Sequence, residues 1–178
     1  MTARQNQVVA LCGGVGGARL AHGLAQAAGA ERLTCIVNVG DDFDHLGLRI
    51  CPDLDTILYT LAGLENAAQG WGRRDETWSF MEALRLAGGE DWFQLGDRDM
   101  ATHVVRTAAL TSGERLTSVM ARLASAHGVE SRIFPVTDDR VSTTCITDEG
   151  ELPFQDYFVR RRCEPELRGL RFEGASMA

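Results

Sequence analysis

Five aspartates, Asp41, Asp42, Asp44, Asp53 and Asp55, crowd the stretch GDDFDHLGLRICPDLDT at residues 40–56. Like charges this close repel, so the arrangement costs energy unless a cation or hydrogen-bond donors sit among them. Clustered carboxylates have three chemical uses. They hold Mg²⁺ through oxygen, usually one or two carboxylates together with substrate phosphates. One of them takes the proton of an attacking hydroxyl as general base. Or they hydrogen-bond a polyhydroxylated ligand. Structural roles compete with these: Asp53 is placed to cap the helix that follows, and Asp44 to be a solvated loop residue. Asp42 lies just beyond an apolar run that reads as a buried strand, where open α/β sheets place their ligands. Asp55 falls in the first turn of the next helix and within reach of the same crevice.

A glycine turn, GGVGG, stands upstream at residues 13–17. Gly13, Gly14, Gly16 and Gly17 connect a short apolar run to an amphipathic one, and glycine lets the backbone approach a ligand closely. The first N–H groups of the helix then face the ligand, an anion site assisted by the helix dipole. Position 19 is Arg19 where the dinucleotide fingerprint needs its third glycine, and no Gly-Lys-Ser/Thr follows as in a P-loop. The turn reads as a nonstandard phosphate or nucleotide site, which Arg19 favours, or as a tight connection without a ligand. Two further polar knots, GDRDMATH at 96–103 and TDDRVST at 137–143, each follow an apparent strand end. Arg98, between Asp97 and Asp99, has a planar fork suited to a phosphate or a ring carbonyl. The alternative is a surface ion pair, which is worth little. His103, one helical turn beyond Asp99, is either part of that site or a hydrogen-bonded packing residue. Three knots after three strands fit one crevice at the carboxyl edge of a parallel sheet.

The elements that must position these groups follow from periodicity. QVVALC at 7–12 reads as a buried strand, the run from the glycine turn to Gly29 as a helix, and RLTCIVNVG as the next strand. Strand, turn, helix and strand make a βαβ unit with a right-handed crossover. Pro52 and Asp53 announce a helix through LDTILYTLAGL. Residues 75–87 form another, with Phe80, Met81 and Leu84 on one face. DWFQLGDRD reads as a strand end and turn, residues 100–113 and 114–128 as two helices, and SRIFPV as a strand. The alternation in RVSTTCITDEGELPFQDYFV, broken at DEGE, signals an antiparallel hairpin, with one more short strand around residues 170–172. The expected fold is α/β and Rossmann-like: three layers, a mostly parallel sheet and a β-hairpin excursion near the C-terminal end, all in one domain over residues 1–178.

Composition narrows the function classes. Apolar residues make up 44% and charged residues 24%, as in soluble globular proteins. The formal charge of −7 argues against wholesale binding of nucleic acid, whose affinity rests on neutralising phosphates. All 18 basic residues are Arg, so a catalytic Lys is excluded. The five cysteines show no CxxC spacing, which suggests neither a disulfide framework nor a zinc site. Cys12 and Cys35 sit in apolar runs and read as small core residues. Residues 1–7 are polar and do not read as a signal peptide. No apolar run reaches the ~18 residues needed to span a bilayer. A reducing cytoplasm is the expected location, with no membrane partner.

The blocks LCGGVGGARLAHGL, IVNVGDDFDHLGLRICPDLDTILYTLAG, WFQLGDRDMATHVVR and FPVTDDRVSTTCITDEGELPFQDYFV closely resemble, in order, the 2-phospho-L-lactate transferase family of coenzyme F(420) biosynthesis. The resemblance implies a Mg²⁺-dependent transfer. The donor is a guanylylated three-carbon phospho-acid: lactyl-diphosphoguanosine, or an enolpyruvyl or glyceryl counterpart. The acceptor is the deazaflavin Fo, whose ribityl hydroxyl attacks the phosphorus bearing the organic acid, so that GMP leaves. It also implies that Asp55 and Arg98 bind Fo, with Asp97 and His103 as further substrate contacts. Asp42 then contacts the metal, Asp55 shares it, and the catalytic pair is Asp42 and Asp55. Gly13, Gly14, Gly16 and Gly17 lie against the donor's phosphates. Family members are longer, so the chain resembles the N-terminal part of a longer transferase. A sheet cut there leaves an edge and an apolar face exposed. The family makes a homodimer plausible. The alternatives are a non-enzymatic nucleotide-sugar-binding regulator of the same superfamily, a dinucleotide oxidoreductase, or an inactive truncated copy.

Overall fold

In the computed structural model, which describes residues 7–66, 71–176 and 178, VVALC forms strand β1 (Val8–Cys12). The glycine turn leads into helix α1 (Gly14–Ala28), and the chain returns as strand β2 (Leu33–Val37). The two strands pair in parallel, Val8 opposite Leu33 through Cys12 opposite Val37. Strand β5 (Arg132–Pro135) adds in parallel on the other side, so the order is β1-β2-β5. Inward residues alternate with outward ones. Ala10, Cys12, Leu33, Cys35, Val37 and Ile133 enter one core with helices α1, α2 (Pro52–Leu61) and α5 (Leu116–Ala126). Gly17 lets α1 ride closely on the end of β1: a Cβ there would stand 3.1 Å from the Cys12 Cα, and the strand end would have to give by a few tenths of an ångström. Pro52 opens α2 at its first position, where its missing N–H costs nothing. The buried Cys12 and Cys35 are core residues as expected.

The α/β, Rossmann-like expectation therefore holds, with a wholly parallel central sheet. Its helices α1, α2 and α5 cover one face, and Val9 and Leu11 stand exposed on the other. The expected hairpin is strands β6 (Ser142–Thr147) and β7 (Gly150–Pro153), joined by a turn at Gly150 with φ 117°. Strand β8 (Leu167–Glu173) pairs with the opposite edge of β6, so the excursion is a three-stranded antiparallel sheet ordered β7-β6-β8. A π-helical turn, Asp156–Arg160, lies between β7 and β8.

Two local expectations change. The aspartate-rich stretch is not only loop: β3 (Phe43–His45) and β4 (Leu48–Ile50) form an antiparallel hairpin whose turn residues, Leu46 and Gly47, have φ of 52° and 75°. Conversely, residues 92–95 form no strand. Phe93 and Leu95 pack instead with Ile50 and Met81 in a second apolar cluster. That cluster also takes Phe80 and Leu84, the predicted face of α3 (Ser79–Leu86). Helix α4 (Asp97–Thr111) starts inside the second polar knot. Among the described residues no helix is long and apolar enough to cross a membrane. The leader reading of residues 1–7 falls almost wholly outside the described residues.

Candidate functional site

Asn38, the first residue after β2, organises the carboxyl edge of the parallel sheet. Its backbone N–H donates to the Cys12 carbonyl at 2.9 Å, continuing the ladder. Its side-chain amide donates to Asp53 Oδ2 at 3.0 Å and to Asp41 Oδ1 at 3.4 Å, and its Oδ1 accepts from the Gly40 N–H at 3.0 Å. One amide thus holds two carboxylates side by side. Asp53 does not cap α2, whose N-cap is Cys51. It faces the glycine turn instead: a Cβ on Gly13 would stand 3.0 Å from Asp53 Oδ2, and one on Gly14 3.4 Å from Oδ1. Gly14 has φ +52°, Gly16 faces open space and Gly17 touches Cys12, so each glycine of the turn has a different surrounding.

Asp41 and Asp42 sit where burial penalises charge. The Asp41 carboxyl is pushed up to about 8, first by burial and then by the charges of Asp53 and Asp42. Asp42 is 1% exposed and is pushed up to about 7 by burial, with the Cys51 thiol, Arg49 and Arg106 working the other way. Its Oδ2 is 3.4 Å from Arg49 Nη2, while its Oδ1 is buried with no hydrogen-bond partner. That oxygen is left to accept from a donor or a cation. Asp44 is solvent-exposed and pairs with Arg140 at 2.7 Å.

Asp55 lies deeper, under α4. Both its oxygens meet Arg106, Nη1 at 3.0 Å from Oδ2 and Nη2 in still closer contact with Oδ1. Arg106 is completely buried; burial alone would lower its pKa, but Asp55 and the neighbouring Cys51 raise it instead, so it stays charged. His103 Nδ1 is 3.7 Å from Asp55 Oδ2 and its Nε2 is 3.1 Å from Asp99 Oδ2. Tyr59 donates to Asp99 Oδ1 at 2.6 Å. Burial raises the Asp99 carboxyl, and His103 and Tyr59 more than reverse that, leaving it lowered. Asp55, Asp99 and His103 together offer ligand atoms within 4.8 Å of one another, a group able to hold a metal. Arg106 competes for it, because a dication there would displace a guanidinium already paired to Asp55.

The rest of the second knot builds structure. Asp97 accepts from the Thr77 hydroxyl at 2.6 Å and from the N–H groups of Phe80 and Ser79 at 2.9 and 3.1 Å, at the start of α3. These bonds, Thr77 first, hold its carboxyl below the usual range. Glu76 reciprocates: its oxygens accept from the N–H groups of Arg98 and Asp99 at 2.8 and 2.9 Å, at the start of α4. The Arg98 side chain is exposed and makes no hydrogen bond or ion pair with Asp41, Asp42, Asp53 or Asp55. Arg19 is exposed on α1 and lines a cleft of about 220 Å³ with Tyr59 and Trp71. In the third knot Asp138 accepts from the Thr117 N–H of α5 at 2.7 Å, and the Thr143 hydroxyl donates to the Gly40 carbonyl at 2.6 Å.

Two open grooves flank Asp41 and Asp42. One of about 460 Å³ runs from Asn38 and Asp41 along Val136, Phe154, Leu170 and Phe172. The other, of about 410 Å³, is lined by Asp42, Phe43, Arg49, Trp92, Arg140 and Arg160. Sequence reasoning left out Asn38 and Arg106, and counted Asp41 among the clustered aspartates without giving it a role of its own. Asn38 and Asp41 had a signal in VNVGDD, a polar residue at a strand end before an acidic pair. Arg106 had a subtler one: it follows His103 by three positions and Asp99 by seven, one face of a helix.

A parallel α/β sheet with carboxylates, a glycine turn and paired grooves at its carboxyl edge places the protein in the Rossmann-like class. The chain belongs to the 2-phospho-L-lactate transferase CofD family, whose model matches residues 8–177. It is 46% identical to a phosphoenolpyruvate transferase of Streptomyces coelicolor over 97% of this chain and 56% of that protein. It is 42% identical to the phosphoenolpyruvate transferase of Mycobacterium avium, over 97% of this chain and 59% of that one. The chain thus spans little more than half the length of the curated relatives it matches. The crystal structure of a upf0052-family protein from Bacillus halodurans superposes with a TM-score of 0.57 at 13% identity, covering 96% of this chain and 52% of that one. At that identity the likeness shows the fold.

Proposed function

We propose that the chain carries the acceptor side of a transferase that moves a three-carbon phospho-acid from a guanylyl-diphosphate donor to the deazaflavin Fo in coenzyme F(420) biosynthesis. The observation that carries the reading is the orphaned Asp42 Oδ1 next to Asp41, at the carboxyl edge of the parallel sheet in a member of this family. The names of the relatives favour an enolpyruvyl acid over a lactyl one.

Asp41, Asp42 and Asp53 offer oxygen ligands of the kind Mg²⁺ takes, with the charges of Asp53 and Asp42 bearing on Asp41, while the group whose ligand atoms converge within 4.8 Å is Asp55, Asp99 and His103. When bound, the ion neutralises charge on the transferring phosphoryl group. Asp42 supplies the free oxygen, and Asp55, held by Arg106, stands behind it as the fixed carboxylate of the pair. The ribityl hydroxyl of Fo attacks the phosphorus bearing the organic acid. Its proton passes to a carboxylate of this cluster, the bond to the guanylyl phosphate breaks, and GMP leaves. Without a cation, burial keeps Asp41 and Asp42 raised to about 8 and about 7, and a bound cation would favour their ionised forms. Phosphoryl transfer asks a protein for positioning and charge neutralisation. The glycine turn lies beside Asp53, so donor phosphates there would meet a carboxylate whose charge a cation held by this cluster would offset.

A fluorescence titration of Fo into the protein, with and without Mg²⁺, tests the reading. Saturable binding that Mg²⁺ strengthens and Asp42→Asn weakens is expected. A folded protein that binds a nucleotide-sugar but not Fo would point to the regulator reading instead.

A further inference from the structure

Three arginines line the 410 Å³ groove beside Asp42, each from a different element: Arg49 from β4, Arg140 from the segment before β6, and Arg160 from the π-helical turn. Arg49 is 7% exposed, yet its guanidinium is loosely held. It stands 3.4 Å from Asp42 Oδ2 and 3.6 Å from Asp44 Oδ1. A guanidinium–carboxylate bond closes to about 2.7–2.9 Å when it is fully made. Arg160 is 3.8 Å from Asp156 Oδ1, and that buried oxygen accepts no hydrogen bond. Arg140 alone of the three holds its partner tightly, Asp44 at 2.7 Å. Two guanidinium forks therefore have donors to spare, facing one open space. Asp42, Asp44 and Asp156 balance the three arginines one for one. A cation on Asp42 takes that carboxylate out of the balance and leaves the groove positive. Phe43 and Trp92 add an apolar wall. The neighbouring groove, along Val136, Phe154, Leu170 and Phe172, has no cationic side chain among its described lining residues.

We propose that this groove is the acid subsite: Arg49 and Arg160 bind the carboxylate of the transferred three-carbon acid, and Arg140, by holding Asp44, keeps that side chain off Arg49. The inference rests on the proposed transfer for the class of ligand, and deepens it by assigning the groups that read the acid. Such an acid carries two anionic groups, a phosphoryl and a carboxylate. The phosphoryl end belongs beside Asp42, where a cation offsets its charge. The carboxylate then lies within one small molecule's length of Asp42, and it needs donors to replace the water it gives up. The arginine groove opens at Asp42 and offers planar forks, which match a carboxylate through two parallel N–H···O bonds. The apolar groove opens at Asp41 and would leave the same carboxylate unpaired. A phosphate ester without the carboxylate leaves Arg49 with its long contacts, so the site selects acids over simple phosphates.

Trp92, in the wall of the groove, supplies the readout. Phosphoenolpyruvate and ethyl phosphate share a phosphoryl group and differ in the carboxylate. Each is titrated into the protein with Mg²⁺ present and followed by tryptophan fluorescence, with Trp92→Phe identifying the responding ring among the three tryptophans. Phosphoenolpyruvate should bind about tenfold more tightly than ethyl phosphate, the worth of one charged hydrogen-bonded pair. Arg49→Lys keeps the charge and loses the fork, and should bring the two ligands within about threefold of each other. Arg160→Gln alters a half-exposed side chain, and should narrow the preference while leaving ethyl phosphate binding unchanged. If Arg49→Lys does not fold, Arg160→Gln decides alone. Equal affinity for the two ligands overturns the proposal, as does no binding of either, or a preference that survives Arg160→Gln. Equal weakening of both ligands by Arg160→Gln, in a protein folded by circular dichroism, also overturns it, since the groove would then hold the phosphoryl end. The Fo titration keeps the two readings apart. Fo binding without a preference for the acid leaves the transfer standing and removes the subsite; a preference lost in the arginine variants, without Fo binding, does the reverse.

Discussion

Asp41 and Asp42 are acids whose protonation the fold controls. Their carboxyls stand at about 8 and about 7, against an ordinary aspartate value near 3.8. Between those values the folded protein keeps protons that the unfolded chain has released. Stability therefore falls as pH rises from about 4 towards 8, and levels off above that. Thermal melts of metal-free protein from pH 5 to 9 should show this decline, and Asp41→Asn should flatten it. A variant whose slope matches the unsubstituted protein would mean that Asp41 ionises normally. Mg²⁺ should raise Tm more at pH 8 than at pH 5, because it competes with the proton. Arg106 poses the complementary case. Removing its charge by Arg106→Leu leaves Asp55 buried and unpaired, at a cost of about 3–5 kcal/mol. Asp55→Asn added to Arg106→Leu should recover part of that loss in urea denaturation. A double variant no more stable than the single one would show that packing around Met120 and Cys51, not the ion pair, carries the effect.

Helices α3 and α4 start by capping each other through side chains two dozen residues or fewer apart in sequence. Glu76 reaches the first N–H groups of α4, and Asp97 reaches those of α3. Gly96 makes room: a Cβ there would lie 2.3 Å from the Glu76 Cδ. Glu76→Ala should cost about 1 kcal/mol, as loss of a cap does. Gly96→Ala should cost about as much by expelling the same carboxylate, and the pair together should cost little more than either alone in urea melts. Additive losses would mean that Gly96 serves something other than Glu76. These elements also show what the sequence could tell. The periodicity of α1, α2 and α5, the glycine turn and the hairpin at residues 142–153 were legible, because each is written in neighbouring residues. The roles of Asp53 and Asp97 were not. A carboxylate at a helix start has equivalent local partners, and only the tertiary approach of Asn38 to Asp53, or of Thr77 to Asp97, decides which it takes. Arg106 escaped for the same reason: its partner Asp55 lies 51 positions away. Residues 92–95 have the composition of a strand, but Phe93 and Leu95 gain more by packing on Ile50 and Met81 than a lone strand without a neighbour could offer.

At the scale of the whole molecule, the antiparallel sheet β7-β6-β8 is joined to the site by few side-chain links. The Thr143 hydroxyl holds the Gly40 carbonyl at 2.6 Å, Gln155 Nε2 holds the Asp41 carbonyl at 3.3 Å, and Arg140 pairs with Asp44 at 2.7 Å. All three end in the short segment from Gly40 to Asp44 that carries the raised acids. Strand β8 is otherwise open to solvent, with Leu170 at 48% and Phe172 at 57% exposure. Segments with few buried apolar contacts open at free energies well below that of global unfolding. Backbone amides of β7 and β8 should therefore exchange with solvent faster than those of β1 and β2. The links make a further demand. A cation that orders Asp41 and Asp42 also orders Gly40 and the Asp41 carbonyl, which are the anchors of Thr143 and Gln155. Mg²⁺ should then slow exchange in β6 and β7, though neither strand supplies a carboxylate to the cluster. Thr143→Ala should remove much of that slowing while leaving the exchange of β1 and β2 unchanged. If Mg²⁺ protects only residues 38–55, the antiparallel sheet is a passenger on the site. If protection spreads into β6 and depends on Thr143, ligand binding and the docking of this sheet are one equilibrium.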